Sequence, residues 1–595
     1  MMEVPVNFML TLLSLGLAVS TPTPEAAKAF VEAVEQESQQ DYVDDARLAW
    51  INATYITIDS QALLAKASEE SQQKSLEWAR EAAHYLRIED QLDFDTRRKL
   101  NFLAQSFISP PPDDPELLAE KARLQVEIPA EYSRYHYCRS DDDCMDFETL
   151  NNTMGTSRDP EELLELWLGW REVSPPFLNR YQRLIELMNT GARDLGFSDA
   201  GELWRSGYDM EPDAFAAELD RLVGQISPLY EALHCHVRAK LNEFYGDEVA
   251  PASGPIPAHL LGNIWAQTWS NVYPLIGVTE SGTVDITEEI LDRELSETEM
   301  VRIAEDFFVS MGFDRLPETF WERSLFLRPE DRNVVCYASA WNVDAEEDVR
   351  LKMCIQRNAE DFNTLHHELG HNYYQLAYND QDFFYRASAN DGFHEAVGDT
   401  LALSVTPEYF RQLGWMDESQ QSDDIALLLK SALDYVALVP WTYVVDQWRW
   451  DVFSGETSPE EYNTAWWDLR LKYQGIAPPV ERGNEYFDAG AKYHVPASVP
   501  YNRYFLARIL QFQFHRALCE ESGYEGPLHL CSIYGSKAAG EKLADMMEMG
   551  ISRPWPEALE VISGTSQMDA TAMADYYAPL KEWLDEQNAG RECGW

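Results

Sequence analysis

The sequence HELGH occupies residues 367–371, and its two histidines are four residues apart. In an α-helix such residues lie one turn apart on the same face, so the imidazoles of His367 and His371 point to one side. Two imidazoles in this arrangement can bind one zinc ion at about 2.1 Å each. Glu368 lies about 100° round the helix from His367, where a general base can take a proton from the attacking water. The stretch therefore predicts a helix that carries a catalytic zinc site.

A second stretch, GFHEAVGD at residues 392–399, is typical of the start of another helix. A catalytic zinc site needs a third protein ligand and keeps its fourth position open. Glu395 can reach across as this ligand; His394 is the alternative, although its place on the helix points it elsewhere. Asp399 shares a face with Glu395 and can hold the second ring nitrogen of a ligand histidine. We predict Glu395 as the third zinc ligand, beside the two histidines of the first helix.

Apolar residues recur at helical spacing along most of the chain. The clearest helical stretches are residues 24–52, 75–87, 161–170, 213–223, 423–437 and 536–549. Two short alternating runs, residues 333–338 and 348–355, flank a charged turn at 344–347 and predict a small β-hairpin. Proline and glycine isolate no region, and we find no internal repeat. The sequence therefore predicts one large, mostly α-helical body.

The composition excludes several classes of function. With 102 acidic and 47 basic residues, the chain carries a formal net charge of −55. Proteins that bind nucleic acids need a basic face to displace counterions, so nucleic acid is not expected as a partner. The same charge argues against docking to an anionic membrane surface.

The N-terminal region and the cysteines predict export. Residues 8–20 form an apolar run that is too short to span a bilayer, and it is typical of a signal peptide cleaved near Ser20. We expect no later membrane anchor. Three cysteine pairs close local loops, as in an oxidising compartment: Cys138 and Cys144, Cys336 and Cys354, and Cys519 and Cys531. Cys235 and Cys593 remain, either paired with each other or free.

The two zinc stretches resemble those of the angiotensin-converting enzyme family, the peptidyl-dipeptidase A branch of the gluzincin zinc peptidases. The resemblance extends from about residue 25 to 585. Further matching stretches are GPIPAHLLGNIWAQTWSN (254–271), WTYVVDQWRWDVF (441–453), WWDLRLKYQG (466–475), AKYHVPASVPYNRYF (491–505), FQFHRALC (512–519) and SRPWPEAL (552–559). It implies an α-helical ellipsoid of two lobes around a deep central cleft, with a lid of N-terminal helices and a β-hairpin near the zinc site. We predict one such domain at residues 21–595.

The resemblance also implies how a peptide is bound. Members remove dipeptides from peptide C-termini, and they hold the terminal carboxylate with a glutamine, a lysine and a tyrosine, matched here by Gln267, Lys492 and Tyr501. An ammonium and two neutral donors form charge-assisted bonds that an internal peptide segment cannot form. A related single-residue carboxypeptidase branch carries arginine at the position of Gln267. The glutamine therefore favours dipeptide release.

Four further residues acquire expected roles in the same way. The donors that stabilise the oxyanion are a histidine and a tyrosine in the family, matched by His494 and Tyr504. Ala338 matches a residue whose backbone pairs with the substrate in a strand-like manner. The family commonly has histidine before this alanine, whereas this chain has Tyr337. This difference affects one contact to the substrate backbone and is expected to shift specificity without abolishing catalysis.

Some members are activated by chloride at two sites. The first site is matched here by Arg171, Trp466 and Arg470, and the second by Tyr208 and Arg503. A guanidinium without a carboxylate partner can hold a halide, but in so acidic a protein each arginine can equally be half of a structural ion pair. The predicted cofactors are thus zinc and, through these arginines, chloride.

The sequence as a whole predicts a secreted zinc dipeptidyl carboxypeptidase, extracellular or periplasmic, that acts as a monomer on short peptides with a free C-terminal carboxylate. A single-residue carboxypeptidase is the nearest alternative. A catalytically silent peptide-binding homologue is another, since a fold does not guarantee activity. All four residues of the zinc motif, His367, Glu368, His371 and Glu395, are present, which favours an active enzyme.

Overall fold

The protein is described by a computed structural model that covers residues 21–140, 142–278, 285–417 and 423–595. The predicted signal peptide, residues 1–20, lies outside the described residues. The helices are α1 (Pro24–Thr54), α2 (Ile58–Leu86), α3 (Phe94–Ala104), α4 (Pro115–Ser133), α5 (Phe147–Thr156), α6 (Pro160–Arg171), α7 (Leu178–Asp194), α8 (Ala200–Ser206), α9 (Pro212–Tyr245), α10 (Tyr273–Ile276), α11 (Ile286–Asp292), α12 (Glu297–Met311), α13 (Glu318–Arg323), α14 (Ala359–Tyr378), α15 (Asp391–Leu403), α16 (Pro407–Gln412), α17 (Asp424–Ser454), α18 (Tyr462–Gln474), α19 (Asn502–Glu521), α20 (Lys537–Met547), α21 (Trp555–Ser563), α22 (Thr571–Tyr576) and α23 (Ala578–Gln587). The strands are β1 (Tyr137–Ser140), β2 (Asp143–Met145), β3 (Ile256–Pro257), β4 (Ser339–Asn342), β5 (Val349–Lys352) and β6 (Ile476–Ala477).

The mostly α-helical fold is confirmed. The described strands form three two-stranded sheets: β1 with β2, β3 with β6, and β4 with β5. One cluster of buried apolar side chains extends from Leu124 to Leu584, and a smaller one joins α1, α2 and α3. The first three helices thus pack on each other around their own apolar contacts. The two lobes and the central cleft stay predictions of the resemblance.

Two predicted helices are much longer than the sequence pattern indicates. The pattern at 213–223 covers only the first third of α9, and that at 423–437 covers the first half of α17. Both helices contain an internal proline, Pro228 in α9 and Pro440 in α17. The later part of α17 is buried nearly all round, so apolar residues there show no helical period. By length and composition α17 could cross a membrane, contrary to our expectation of no such stretch, but most of it is buried inside the protein, as in a core helix.

The predicted hairpin is present, but its first strand is misplaced. β4 and β5 are antiparallel, with Asn342 opposite Val349 and Ser339 opposite Lys352. The sequence prediction of a strand at 333–338 is therefore wrong. The ladder ends at Lys352 because the register then shifts: the N–H of Cys354 donates to the carbonyl of Cys336 at 3.2 Å and not to Tyr337, which the register of the ladder would place opposite it.

Four disulfides link the eight cysteines. The three predicted pairs are all present, at Cys138–Cys144, Cys336–Cys354 and Cys519–Cys531. The pairing that the sequence left open is Cys235–Cys593, which ties the end of the chain to α9 across 358 residues.

Candidate active site

Asparagine side chains cap the two helices that carry the zinc motif. The side chain of Asn358 accepts a hydrogen bond from the N–H of Asp361 at the start of α14. Asn390 accepts from the N–H groups of Gly392 and Phe393 at the start of α15. These bonds satisfy donors that have no partner inside a helix, so both helices begin at defined residues.

Two glycines allow α14 and α15 to approach backbone to backbone. A Cβ atom on Gly370 would lie 2.9 Å from the Cα of Gly398, and one on Gly398 would lie 2.8 Å from Nδ1 of His367. Larger residues at either position would push the helices apart. Gly370 of HELGH and Gly398 of GFHEAVGD therefore allow the close approach that brings Glu395 to the histidines.

The three predicted ligands converge. Nε2 of His367 lies 3.0 Å from Nε2 of His371 and 3.7 Å from Oε2 of Glu395. One ligand atom from each residue lies within 4.8 Å of the others. Two ligands of a tetrahedral zinc ion at about 2.1 Å are separated by about 3.4 Å, so this donor set fits zinc.

Two further residues contact the second ring nitrogen of each predicted ligand histidine. Oδ1 of Asp399 lies 3.0 Å from Nδ1 of His367, and its Oδ2 accepts from Arg508 at 3.0 Å. Burial raises the pKa of the Asp399 carboxyl, but Arg508 and His367 outweigh it and lower the pKa overall. His394, the alternative third ligand, instead lies with its Nδ1 2.7 Å from Nδ1 of His371. Both contacts leave Nε2 of the ligand histidines free for the metal.

Glu368 is buried beside this group with an unused acceptor. Its side chain is 7% exposed, and its Oε2 has no hydrogen-bond partner. Burial and the charge of Glu395 raise the pKa of the carboxyl to about 7. The charges of His367 and Lys352 and a hydrogen bond from the backbone of Ala340 act in the opposite direction. The carboxyl therefore lies next to β4, ready to exchange a proton near neutral pH.

The two predicted oxyanion donors lie together with Tyr501. The ring of His494 is centred 4.8 Å from that of Tyr501 and 5.9 Å from that of Tyr504. Burial and the charge of Lys492 lower the pKa of His494 to about 3, so the imidazole is neutral and can donate a hydrogen bond without carrying charge. Burial also raises the pKa of Tyr504, which keeps its hydroxyl protonated.

The three residues predicted to hold the C-terminal carboxylate also meet. Nζ of Lys492 donates to Oε1 of Gln267 at 2.8 Å and lies 5.5 Å from the ring centre of Tyr501. Nζ also lies 3.8 Å from the ring centre of Trp265. Lys492 is 5% exposed, and burial lowers its pKa to about 7. The ammonium has no carboxylate beside it among the contacts described, so an incoming carboxylate would supply the missing charge.

Sequence reasoning missed the groups that fix this loop. The carbonyl of Ala491, just before the lysine, accepts from Tyr132 at 3.0 Å, from Trp170 at 3.1 Å and from Trp265 at 2.9 Å. Three donors on one carbonyl hold the backbone from which Lys492 projects. Tryptophans in an apolar segment predict core packing, so nothing in the sequence pointed to this bond.

A buried ion pair on α17 holds the rest of the loop. Arg449 and Asp446 pair with each other, and both are 1% exposed. Arg449 donates to the carbonyls of His494 at 3.1 Å and Val499 at 2.6 Å. Oδ2 of Asp446 accepts from the N–H groups of Tyr501 and Asn502, each at 2.7 Å. Opposite charges three residues apart in the apolar run VVDQWRW were the available signal.

The two predicted chloride sites differ in their surroundings. Arg171 and Arg470 are buried, each with an unpartnered Nε, and their described hydrogen bonds to other residues go to main-chain carbonyls. Burial lowers the pKa of each to about 9. Trp466 lies beside them, with its ring centre 5.7 Å from Cζ of Arg470. Neither arginine has a described ion pair, although the charge of buried Asp488 acts on both, and two such cations in one buried region are suited to holding an anion.

The second predicted site already contains a carboxylate. Oδ2 of Asp391 lies 3.4 Å from Nε of Arg503 and accepts from the hydroxyl of Tyr208 at 3.3 Å. The side chain of Asp391 thus takes the position beside the guanidinium and the phenol that an anion would need.

The two predicted substrate contacts before β4 lie directly ahead of its first residue. Tyr337 is 76% exposed, and Ala338 is half-buried immediately before the strand.

Comparisons with known proteins agree with this geometry. A family described as "Angiotensin-converting enzyme" matches residues 21–595. The chain is 41% identical to angiotensin-converting enzyme of Sus scrofa over 98% of its own length and 44% of that relative. It is 43% identical to angiotensin-converting enzyme of Theromyzon tessulatum over 74% of this chain and 72% of the relative. The chain therefore spans less than half the length of the Sus scrofa relative.

Proposed function

The chain belongs to the angiotensin-converting enzyme family of metallopeptidases, and from this premise we propose that it is a zinc-dependent peptidyl-dipeptidase. It releases dipeptides from the C-terminal end of short peptides. The observation that supports this most is the contact of Lys492 with Gln267 and Tyr501, on the same loop as His494. A site built in this way selects a free carboxylate close to the reacting bond.

The roles of the residues follow from their surroundings. When bound by His367, His371 and Glu395, zinc would polarise the carbonyl and activate water as a Lewis acid. Glu368 takes the proton of the attacking water at its unpartnered oxygen and passes it to the leaving amine. The N–H of neutral His494 and the hydroxyl of Tyr504 donate to the oxygen that becomes negative.

The domain organisation, the export and the oligomeric state are proposed on the same basis. Residues 21–595 form one catalytic domain, which is exported and acts as a monomer. The four disulfides fit an oxidising compartment.

The deciding experiment is mass spectrometry of the products from a short peptide with a free carboxylate, with zinc present and then chelated. We expect stepwise loss of dipeptides, abolished by the chelator, and a kcat/KM about 10- to 100-fold lower for the same peptide with an amidated C-terminus. Loss of single residues would instead assign a carboxypeptidase. No cleavage with zinc bound would assign a peptide-binding homologue.

Dipeptide binding should weaken as the pH rises above 7. The pKa of Lys492 is lowered to about 7, so its ammonium is lost above that pH, and a free carboxylate then has no cation to bind. We expect the Kd of a product dipeptide to rise about tenfold per pH unit above pH 7, until the bound-state pKa is exceeded. Calorimetry from pH 6 to 9 measures this, with the dipeptide amide and Lys492→Met as controls. If the Kd of the dipeptide and that of its amide change with pH in the same way, the proposed role of Lys492 is contradicted.

Chloride should bind at one site. We propose that Arg171 and Arg470 hold an anion, whereas Asp391 replaces it beside Arg503. Binding of chloride, followed by calorimetry, should fit a single site that Arg470→Met removes and Arg503→Met leaves unchanged. Loss of binding in Arg503→Met would show that the second site is also used.

A further inference from the structure

The segment before β4, residues 335–338, is not a strand, yet neighbours on two sides fix its backbone. The N–H of Val335 donates to the carbonyl of Ala53 at the end of α1, at 2.9 Å. The carbonyl of Cys336 accepts from the N–H of Cys354 at 3.2 Å, and a disulfide joins the same two residues. The segment therefore keeps one place relative to the hairpin, although the ladder has ended.

The strongest of these contacts comes from a buried lysine. Lys352 is the last residue of β5, opposite Ser339, and is 1% exposed. Its Nζ donates to the carbonyl of Val335 at 3.0 Å and to that of Tyr337 at 2.6 Å. Nζ also lies 4.6 Å from the ring centre of Tyr337. One ammonium thus binds alternate carbonyls, which a neighbouring strand would otherwise bind.

A buried ammonium is costly unless it is well bonded, because charge is removed from water. Both hydrogen bonds described for Lys352 go to main-chain carbonyls and not to a carboxylate. An apolar side chain would fill the same space without this cost. The cation is stabilised by the two carbonyls that it holds and by the charge of Glu368, which raises the pKa of the ammonium against the effect of burial.

The strand that follows is open on one side and lies next to the reaction centre. β4 pairs only with β5 among the described strands, so no strand covers its other edge, where the hydroxyl of Tyr42 donates to the carbonyl of Asn342 at 2.6 Å, at the end away from Ala338. The backbone of Ala340, in this strand, hydrogen-bonds Glu368. A peptide that pairs with this edge would pass directly beside the proposed general base.

We propose that Lys352 is a positioning residue for peptide binding: it bonds the carbonyls of Val335 and Tyr337, as a partner strand would, and so holds Ala338 in line with β4, where the backbone of Ala338 pairs with the substrate. This inference rests on the proposed function. It implies recognition by main-chain hydrogen bonds, which tolerates many side chains on the amino side of the cleaved bond.

The test is a double-mutant cycle on binding, in zinc-loaded Glu368→Gln protein so that peptides bind uncleaved. The two changes are Lys352→Met and N-methylation of the peptide amides on the amino side of the cleaved bond. Each change alone should raise the Kd about tenfold, the equivalent of one good hydrogen bond. Because both remove the same pairing, together they should raise it less than about 20-fold.

A product of the two effects, about 100-fold, would overturn the proposal, as would an unchanged Kd in Lys352→Met. Lys352→Arg keeps a cationic donor and should bind the parent peptide within about threefold of the lysine protein. If the methionine variant does not fold, Lys352→Arg replaces it in the test. A tenfold rise of the Kd in Lys352→Arg would count against the proposal. The matched control is Lys472→Met, since Lys472 is exposed and lies 4.5 Å from the ring centre of Tyr473.

This cycle is independent of cleavage. If the unsubstituted protein releases no dipeptide but the two changes are coupled in binding, the proposed activity fails and the role of Lys352 stands. If dipeptides are released and the effects multiply, only the role of Lys352 fails.

Discussion

Glu368→Gln should lower kcat for peptide hydrolysis by about 10³-fold or more, with zinc still bound. Glutamine keeps the size of the side chain but cannot accept the proton of the attacking water, and a positioned base contributes about 10²- to 10⁴-fold. Because Glu368 is not among the three converging ligands, zinc content should not change. Steady-state rates together with metal analysis test this directly.

The matched control lies on the same helix. Glu360 is exposed in the first turn of α14, and Glu360→Gln should leave kcat within about twofold. Equal losses in both variants would point to a disturbed helix. A fall in zinc content with Glu368→Gln would mean that this carboxylate is a ligand and would exclude it as the base.

Arg449→Met should lower the free energy of unfolding by about 3–5 kcal/mol. The substitution leaves the carboxylate of Asp446 buried without its partner, and breaking a buried ion pair from one side typically costs this much. The carbonyls of His494 and Val499 lose their donor as well, so activity should fall even where the protein is fully folded. Urea unfolding and rates measured far below the unfolding midpoint separate the two effects.

An exposed pair provides the comparison. Lys240 and Glu243 have the same spacing on α9 but are 32% and 55% exposed, so Lys240→Met should cost less than about 1 kcal/mol. If Arg449→Met also costs less than about 1 kcal/mol and leaves activity normal, the buried pair does not hold the loop.

The sequence predicted best those features that are determined by residues close together in the chain. The convergence of the three predicted zinc ligands follows from helical spacing and from two glycines that lie in the same short motifs, so the pattern contains nearly all the information. The first strand of the hairpin was misplaced because the alternating pattern of residues 333–338 continues into β4, whereas the register with β5 shifts at Cys336 and Cys354, which the pattern does not reveal.

The polar contacts between distant segments were the least predictable. In the sequence, Asp446 and Arg449 are only two charged residues in an apolar helix. The main-chain groups that they bond lie 45 to 56 residues away. Asp391 lies in the zinc region of the sequence, yet it faces Arg503 at the second predicted anion site. A family resemblance carries over the arginine but does not reveal which side chain of this protein occupies the space beside it.

The bond between Cys235 and Cys593 closes a covalent ring between two cysteines that are 358 residues apart in the sequence. Both zinc helices, Gln267 and the whole loop from Lys492 to Tyr504 lie inside this ring. A protease that cuts one surface loop there opens the ring but releases no fragment, since the two pieces remain joined through the cystine. An enzyme surrounded by other peptidases could in this way be nicked and still keep every group of its reaction centre in one molecule.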